Sequence, residues 1–164
     1  MIVFTLLSIN PATIAGVKTT AWAPHSVLAT GKWIKLSVKS SGVYKITYSD
    51  LQKMGYNPAT ISPANIRLFG NGGSMLPEII GTSYPDDLTE NAIYVEGQAD
   101  GHFDPNDYIL FYGMGPDTWS FDNQQNLFSH QKNIYSDLTY YFLTIESTPG
   151  LRLKTIAQIG RAHV

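Results

Sequence analysis

The residues best placed to do chemistry lie in ADGHFDPNDYILFYG, residues 99 to 113, where Asp100, Asp104 and Asp107 fall within eight positions. Oxygen-rich loops of this density hold hard cations such as calcium. An EF-hand loop requires a ligand oxygen at its third position and glycine at its sixth. Counted from Asp100, those places are taken by His102 and Pro105. The order suits two successive turns, in which carboxylates accept backbone N–H groups before the YILFY run begins. A structural turn is therefore the expectation, with an irregular, weak calcium site at Asp100, Asp104 and Asp107 as the alternative.

Other catalytic constellations are thin. The chain has no cysteine, which excludes disulfides, thiolate metal sites and a thiol nucleophile on these residues. His25, His102 and His130 are scattered without the spacing of a zinc helix, so each reads as a surface or turn residue. Gly70-Asn71-Gly72 begins like a dinucleotide loop, but Met75 stands where the third glycine belongs and Leu76-Pro77 follows where a helix should open. Ser74 fails as a nucleophile elbow because Leu76 replaces the second glycine. A backbone reversal using positive φ at Gly72 and Gly73 is expected instead. Glu78, Asp86, Asp87, Glu90 and Glu96 lie in or beside turn signals, where capping is the default role. No catalytic residue and no cofactor-binding residue is assigned.

Composition narrows the partners. Eleven basic and thirteen acidic residues give a net charge of −2, and no basic run provides the footprint that nucleic acid requires. Charged residues make up 15% of the chain, against about 25% in ordinary domains. Ten Tyr, fourteen Gly and nine Pro favour strands and turns over helices. No apolar stretch reaches the roughly 18 to 20 residues of a membrane span.

These features predict a mainly β, antiparallel, sandwich-like domain with one short helix. Ile34, Leu36 and Val38 alternate with polar residues, as do Tyr44, Ile46 and Tyr48 across Ser41-Gly42, so residues 32 to 48 read as a β-hairpin. Ser49 with Gln52 resembles a capping box, and Gly55 supplies a left-handed stop, giving a helix near residues 49 to 54. Further strands are expected at IRLFG, AIYVEG (92 to 97), DYILFYG (107 to 113), TYYFLTI (139 to 145) and LRLKTI (151 to 156). YILFY and YYFLTI are apolar on both faces and suit central strands. Between them lies a polar excursion carrying Trp119, Phe121, Phe128 and Tyr135, which reads as a segment held down by aromatic anchors or as a surface awaiting a partner.

The ends of the chain read differently from its middle. Residues 1 to 22 resemble a clipped signal peptide or leader, although no basic residue precedes Lys18. Residues 159 to 164, IGRAHV, match one reading frame of a common sequencing-library adapter and are taken as a non-native tail, so His163 is assigned no chemistry. Residues 23 to 158 are the expected β-domain.

Several phrases in order carry a family resemblance: SVLATGKWIKLSVKSSGVYKITYSDLQKMGYNPATISPANIRLFGNGGSMLPE, then DLTENAIYVEGQADGHFDPNDYILFYGMGPDTW, then NIYSDLTYYFLT. Together, over about residues 26 to 153, they closely resemble the N-terminal region of PorU-type proteins. These are gingipain-family cysteine peptidases that act as the sortase of the type IX secretion system. The resemblance implies an exported, surface-exposed component of the Gram-negative outer membrane. It further implies processing of the C-terminal sorting domains of secreted cargo by a caspase-like domain downstream of the matched region. Without cysteine this chain supplies none of that catalysis. The implied role is an accessory β-domain whose partners are the catalytic domain, secretion components and cargo. A free-standing cell-surface binding or adhesion module of the same secretion family is the alternative.

Overall fold

The computed structural model describes residues 22 to 79 and 81 to 154. The leader expected at residues 1 to 22 lies outside them except for Trp22, and so do residues 155 to 164, including the adapter-like tail. The fold is mainly β with antiparallel sheets and one α-helix, as expected.

Among the described residues nine strands form: β1 (Ile34–Val38), β2 (Gly42–Thr47), β3 (Ile66–Phe69), β4 (Glu90–Asn91), β5 (Tyr94–Val95), β6 (Tyr108–Gly113), β7 (Thr118–Asp122), β8 (Leu127–Gln131) and β9 (Thr139–Ile145). The first sheet has the order β1-β9-β3-β4 and the second β2-β6-β5, while β7 and β8 pair only with each other. The two strands that read as apolar on both faces, β6 and β9, each have a neighbour on both sides, as does the shorter β3. One core joins the sheets: Val38, Ile66, Leu68, Tyr141 and Leu143 from the first meet Ile46, Val95, Ile109 and Phe111 from the second. The rings of Phe111 and Tyr141 lie 5.5 Å apart across that junction.

The expected hairpin over residues 32 to 48 is not formed. Ile34 pairs with Leu143, whereas Ile46 pairs with Ile109, so β1 and β2 belong to opposite sheets. Three residues, 39 to 41, turn the corner. The Tyr44 hydroxyl donates to Ser40 O at 2.8 Å, and Ser41 Oγ accepts from Gly115 N at 2.9 Å. A period of two reports that each strand has one buried face; it is the same whether two strands lie side by side or face each other across a core.

The segment expected as one strand at AIYVEG also changes sheets. Asn91 pairs with Leu68 and Tyr94 with Leu110, and fully buried Ile93 marks the crossing. Of the strand expected at LRLKTI, the described residues 151 to 154 form a single parallel bridge between Arg152 and Ile93, and residues 155 and 156 lie outside the described residues. Arg152 instead spends its guanidinium on backbone, donating to Pro63 O, Ala64 O and Ile66 O at 2.6 to 3.1 Å. Such charge-assisted bonds satisfy carbonyls that a strand would have turned elsewhere.

The helix, α1, runs Tyr48–Lys53 and is capped by Thr47 rather than Ser49. Thr47 Oγ1 accepts from Asp50 N, and the Asp50 carboxylate accepts from Thr47 N at 3.0 Å. That reciprocal pair outcompetes the Ser49/Gln52 arrangement because it also closes strand β2 onto the helix. Hydrogen bonds from Thr47 hold the Asp50 carboxyl below its ordinary pKa. Leu51, fully buried, anchors the helix to the core.

Candidate functional site

The acidic loop is built as turns. Asp100 Oδ1 accepts from His102 N at 2.9 Å, and Asp107 Oδ2 accepts from Asp104 N at 2.8 Å. Asp107 N in turn donates to Asp104 O. Phe103, between them, is 1% exposed and stacks near Tyr48, so the loop is nailed to the core. Asp107 is buried against Gly97, whose φ of +80° and lack of a Cβ make room: a Cβ there would lie 2.0 Å from Asp107 Oδ1. Among the described residues, no group of three or more His, Asp or Glu side chains is disposed to hold a metal ion. The loop thus joins Asp104 with Asp107, while Asp100 serves a separate turn.

Three of the remaining polar candidates, Asp86, Asp87 and Glu90, are also absorbed by the fold. Asp87 accepts from Val27 N, Ser26 Oγ and Leu88 N, and the Leu88 bond leads the causes that lower its pKa. Asp86 accepts from Ala23 N. Glu90 departs from the expected turn role, forming an ion pair with Arg67 at 2.5 Å and accepting from Leu151 N at 2.8 Å. Burial alone would raise its pKa, but bonds from Arg67 and Leu151 and the charge of Arg152 more than offset this and lower it. Arg67 reaches Glu146 as well, at 2.6 Å. In the glycine loop Gly72 has the expected positive φ, whereas Gly73 does not. Gly73 is required for closeness, since a Cβ would meet Gly115 O at 1.7 Å.

What the fold leaves unabsorbed is the excursion after β6. Its aromatics do not hold it down. Instead β7 and β8 form a two-stranded ribbon on which every residue beyond Thr118 is exposed. Trp119 pairs with His130 and Phe121 with Phe128, and their rings lie 4.5 Å and 4.8 Å apart. These four side chains share one face; Thr118, Ser120, Asp122, Ser129 and Gln131, with the single apolar Leu127, alternate onto the other. The ribbon is amphipathic, yet Trp119 and Phe128 are 70% and 73% exposed.

Local chemistry explains why it forms. Asp122 Oδ1 accepts from Gln124 N and Gln125 N, and Asn126 takes a φ of 54°, a left-handed conformation that Asn tolerates. At the base, Asp117 Oδ1 accepts from Asn133 N at 3.0 Å, and Asn133 Oδ1 accepts from Tyr135 N and Ser136 N. Beside the base a cleft of about 490 Å³ runs between residues 74 to 78 and Asn133 and Tyr135. Exposed Leu76 and Tyr135 extend the apolar surface there.

No protein-family model and no curated protein matches the chain. Among solved structures it is similar to the crystal structure of dimeric latent PorU from Porphyromonas gingivalis, at 31% sequence identity over 80% of this chain with a TM-score of 0.59. The fold is PorU-related. The chain spans 11% of the length of the PorU chain it matches, so the likeness to PorU concerns one part of that protein. Among the described residues no helix is long and apolar enough to cross a membrane.

Sequence reasoning found the aromatics of the ribbon but not the ribbon itself. Its signal was present: Asp122 and Asn126 bracket a turn, flanked by TWSF and LFSHQ with aromatics at every second place.

Proposed function

We propose that this chain is the N-terminal accessory β-domain of a PorU-type sortase of the type IX secretion system. On this reading the parent is a gingipain-like cysteine peptidase exposed at the Gram-negative outer membrane. It removes the C-terminal sorting domains of secreted cargo. The β-domain is its non-catalytic part, needs no cofactor, and offers the aromatic ribbon to the catalytic domain, to secretion components or to cargo.

The observation that carries the reading is the PorU likeness at 31% identity across 80% of the chain. The absence of any cysteine in the sequence supports placing the nucleophile elsewhere. The gene sequence beyond codon 158 tests the proposal. The expected result is continuation into a caspase-like domain with its own Cys and His. A free-standing binding or adhesion module, for which the same exposed ribbon would serve, predicts that no such domain follows.

A further inference from the structure

Two antiparallel strands alone are marginal in water, and a hydrophobic face normally needs a third strand or another layer to cover it. The β7–β8 ribbon presents Trp119, Phe121 and Phe128 on one face without such a layer among the described residues. Exposed aromatic faces of this kind mark interaction sites, and the charge around this one indicates what it takes.

Residues 114 to 138 hold Asp117, Asp122 and Asp137 against Lys132 alone. The rest of the chain balances, with ten acidic and ten basic residues, so the whole net charge of −2 resides in this segment. Asp117 stands on the aromatic face beside His130. One of its oxygens is engaged by Asn133 N, while the other accepts no hydrogen bond among the described residues and lies 3.7 Å from His130 Nε2, an ion-pair distance that an incoming cation would compete for when that imidazole is protonated. Elsewhere three tyrosines at the margin of the sheets carry the protein's own cations: Lys35 lies 3.6 Å over Tyr140, Lys45 4.0 Å over the half-buried Tyr108 and Lys32 4.2 Å over the half-buried Tyr56. Among the described residues no cation lies over Trp119, Phe121 or Phe128.

We propose that the aromatic face of the ribbon receives a lysine or arginine side chain carried on an extended peptide segment of the partner. The cation sits over Trp119, the best of the aromatic faces for this purpose, and donates to Asp117. Apolar neighbours of the cationic residue cover Phe121 and Phe128. The inference rests on the ribbon being the partner surface in the proposed function, and it specifies the partner's chemistry.

Fluorescence anisotropy with the full chain tests it. The probes are fluorescein-labelled nine-residue peptides of alternating Thr and Val, with Lys, norleucine or Glu at the centre. The Lys peptide should bind about tenfold more tightly than the norleucine peptide, and the Glu peptide more weakly still. Trp119→Leu should remove most of that Lys preference, and Asp117→Asn a part of it. Tyr112→Leu, on the outer face of the second sheet, should leave it intact. Unchanged melting temperatures would show that the variants fold. Equal binding of the Lys and norleucine peptides, no binding of any peptide at millimolar concentration, or self-association that buries Trp119 would each overturn the proposal. The downstream gene sequence tests the sortase reading independently, so either idea can fail without the other.

Discussion

Two ring pairs, one across the core between the sheets and one across the paired strands of the ribbon, illustrate the division of labour in this molecule. Phe111 and Tyr141 meet at 5.5 Å in the core, while Phe121 and Phe128 meet at 4.8 Å on the ribbon. The contact is as close in the second case, but only the first removes both rings from water: Phe111 is 3% exposed and Tyr141 1%. Apolar stabilisation follows the area withdrawn from solvent, at roughly 25 cal/mol per Å². The Tyr141 hydroxyl is satisfied by Met114 N at 2.8 Å, so its burial carries no unpaired polar group. Aromatic content alone therefore does not distinguish a residue that holds the fold from one held ready for a partner.

Truncation gives the largest test of that contrast. Leu143→Ala, fully buried in the central strand β9, should cost about 2 to 5 kcal/mol. Phe128→Ala should cost under about 0.5 kcal/mol. Urea unfolding of both variants measures the difference, and similar losses would erase the distinction between the regions.

A smaller effect is expected from the ion-paired margin of the first sheet. The pKa of Glu90 is lowered in the folded state, so its contribution to stability is present above the ordinary carboxylate range and is lost as pH falls through the folded value. Glu90→Gln should therefore be less stable than the native chain at neutral pH, with the gap closing below about pH 4. Thermal melts across that range should show the convergence; a constant gap would mean that the ionised carboxylate is not what stabilises the strand.

The smallest expected effect concerns the acidic loop, which the structure groups with the sandwich rather than with the ribbon. Because Asp100 and Asp107 already accept backbone N–H groups, millimolar calcium should leave the melting temperature unchanged. Occupancy a hundredfold above a dissociation constant would add about 2.7 kcal/mol. Calcium stabilisation abolished by Asp104→Asn would return these aspartates to the metal-site reading.

Much of the fold was legible because its signals are local. Alternation located β1 and β2, and the two-faced apolar runs located β6 and β9 as internal strands, while the internal place of β3 was not foreseen. What failed was pairing. Ser41-Gly42 read as a hairpin turn, yet residues 39 to 41 carry the chain from one sheet to the other, a choice made by the Tyr44 hydroxyl and Gly115, the latter far away in sequence. The cap at Thr47 was missed because Ser49/Gln52 satisfies the same rule two residues on. At the candidate site the aromatic types were visible, but their exposure was not. Nothing in Trp119 or Phe128 themselves reports whether another layer lies over them.

The placement of β9 has a consequence for how the domain comes into being. β9 is the last strand among the described residues and sits between β1 and β3, pairing Ile34 with Leu143 and Ile66 with Ile145. Until residues 139 to 145 have left the ribosome, the first sheet has no middle, and β1 must wait more than a hundred residues for its partner. The β2–β6 pair can form earlier, but the shared core cannot close over it. Distant pairings of this sort make folding slow. The two sheets of this domain therefore share one late event, the arrival of β9, before which neither has a closed core.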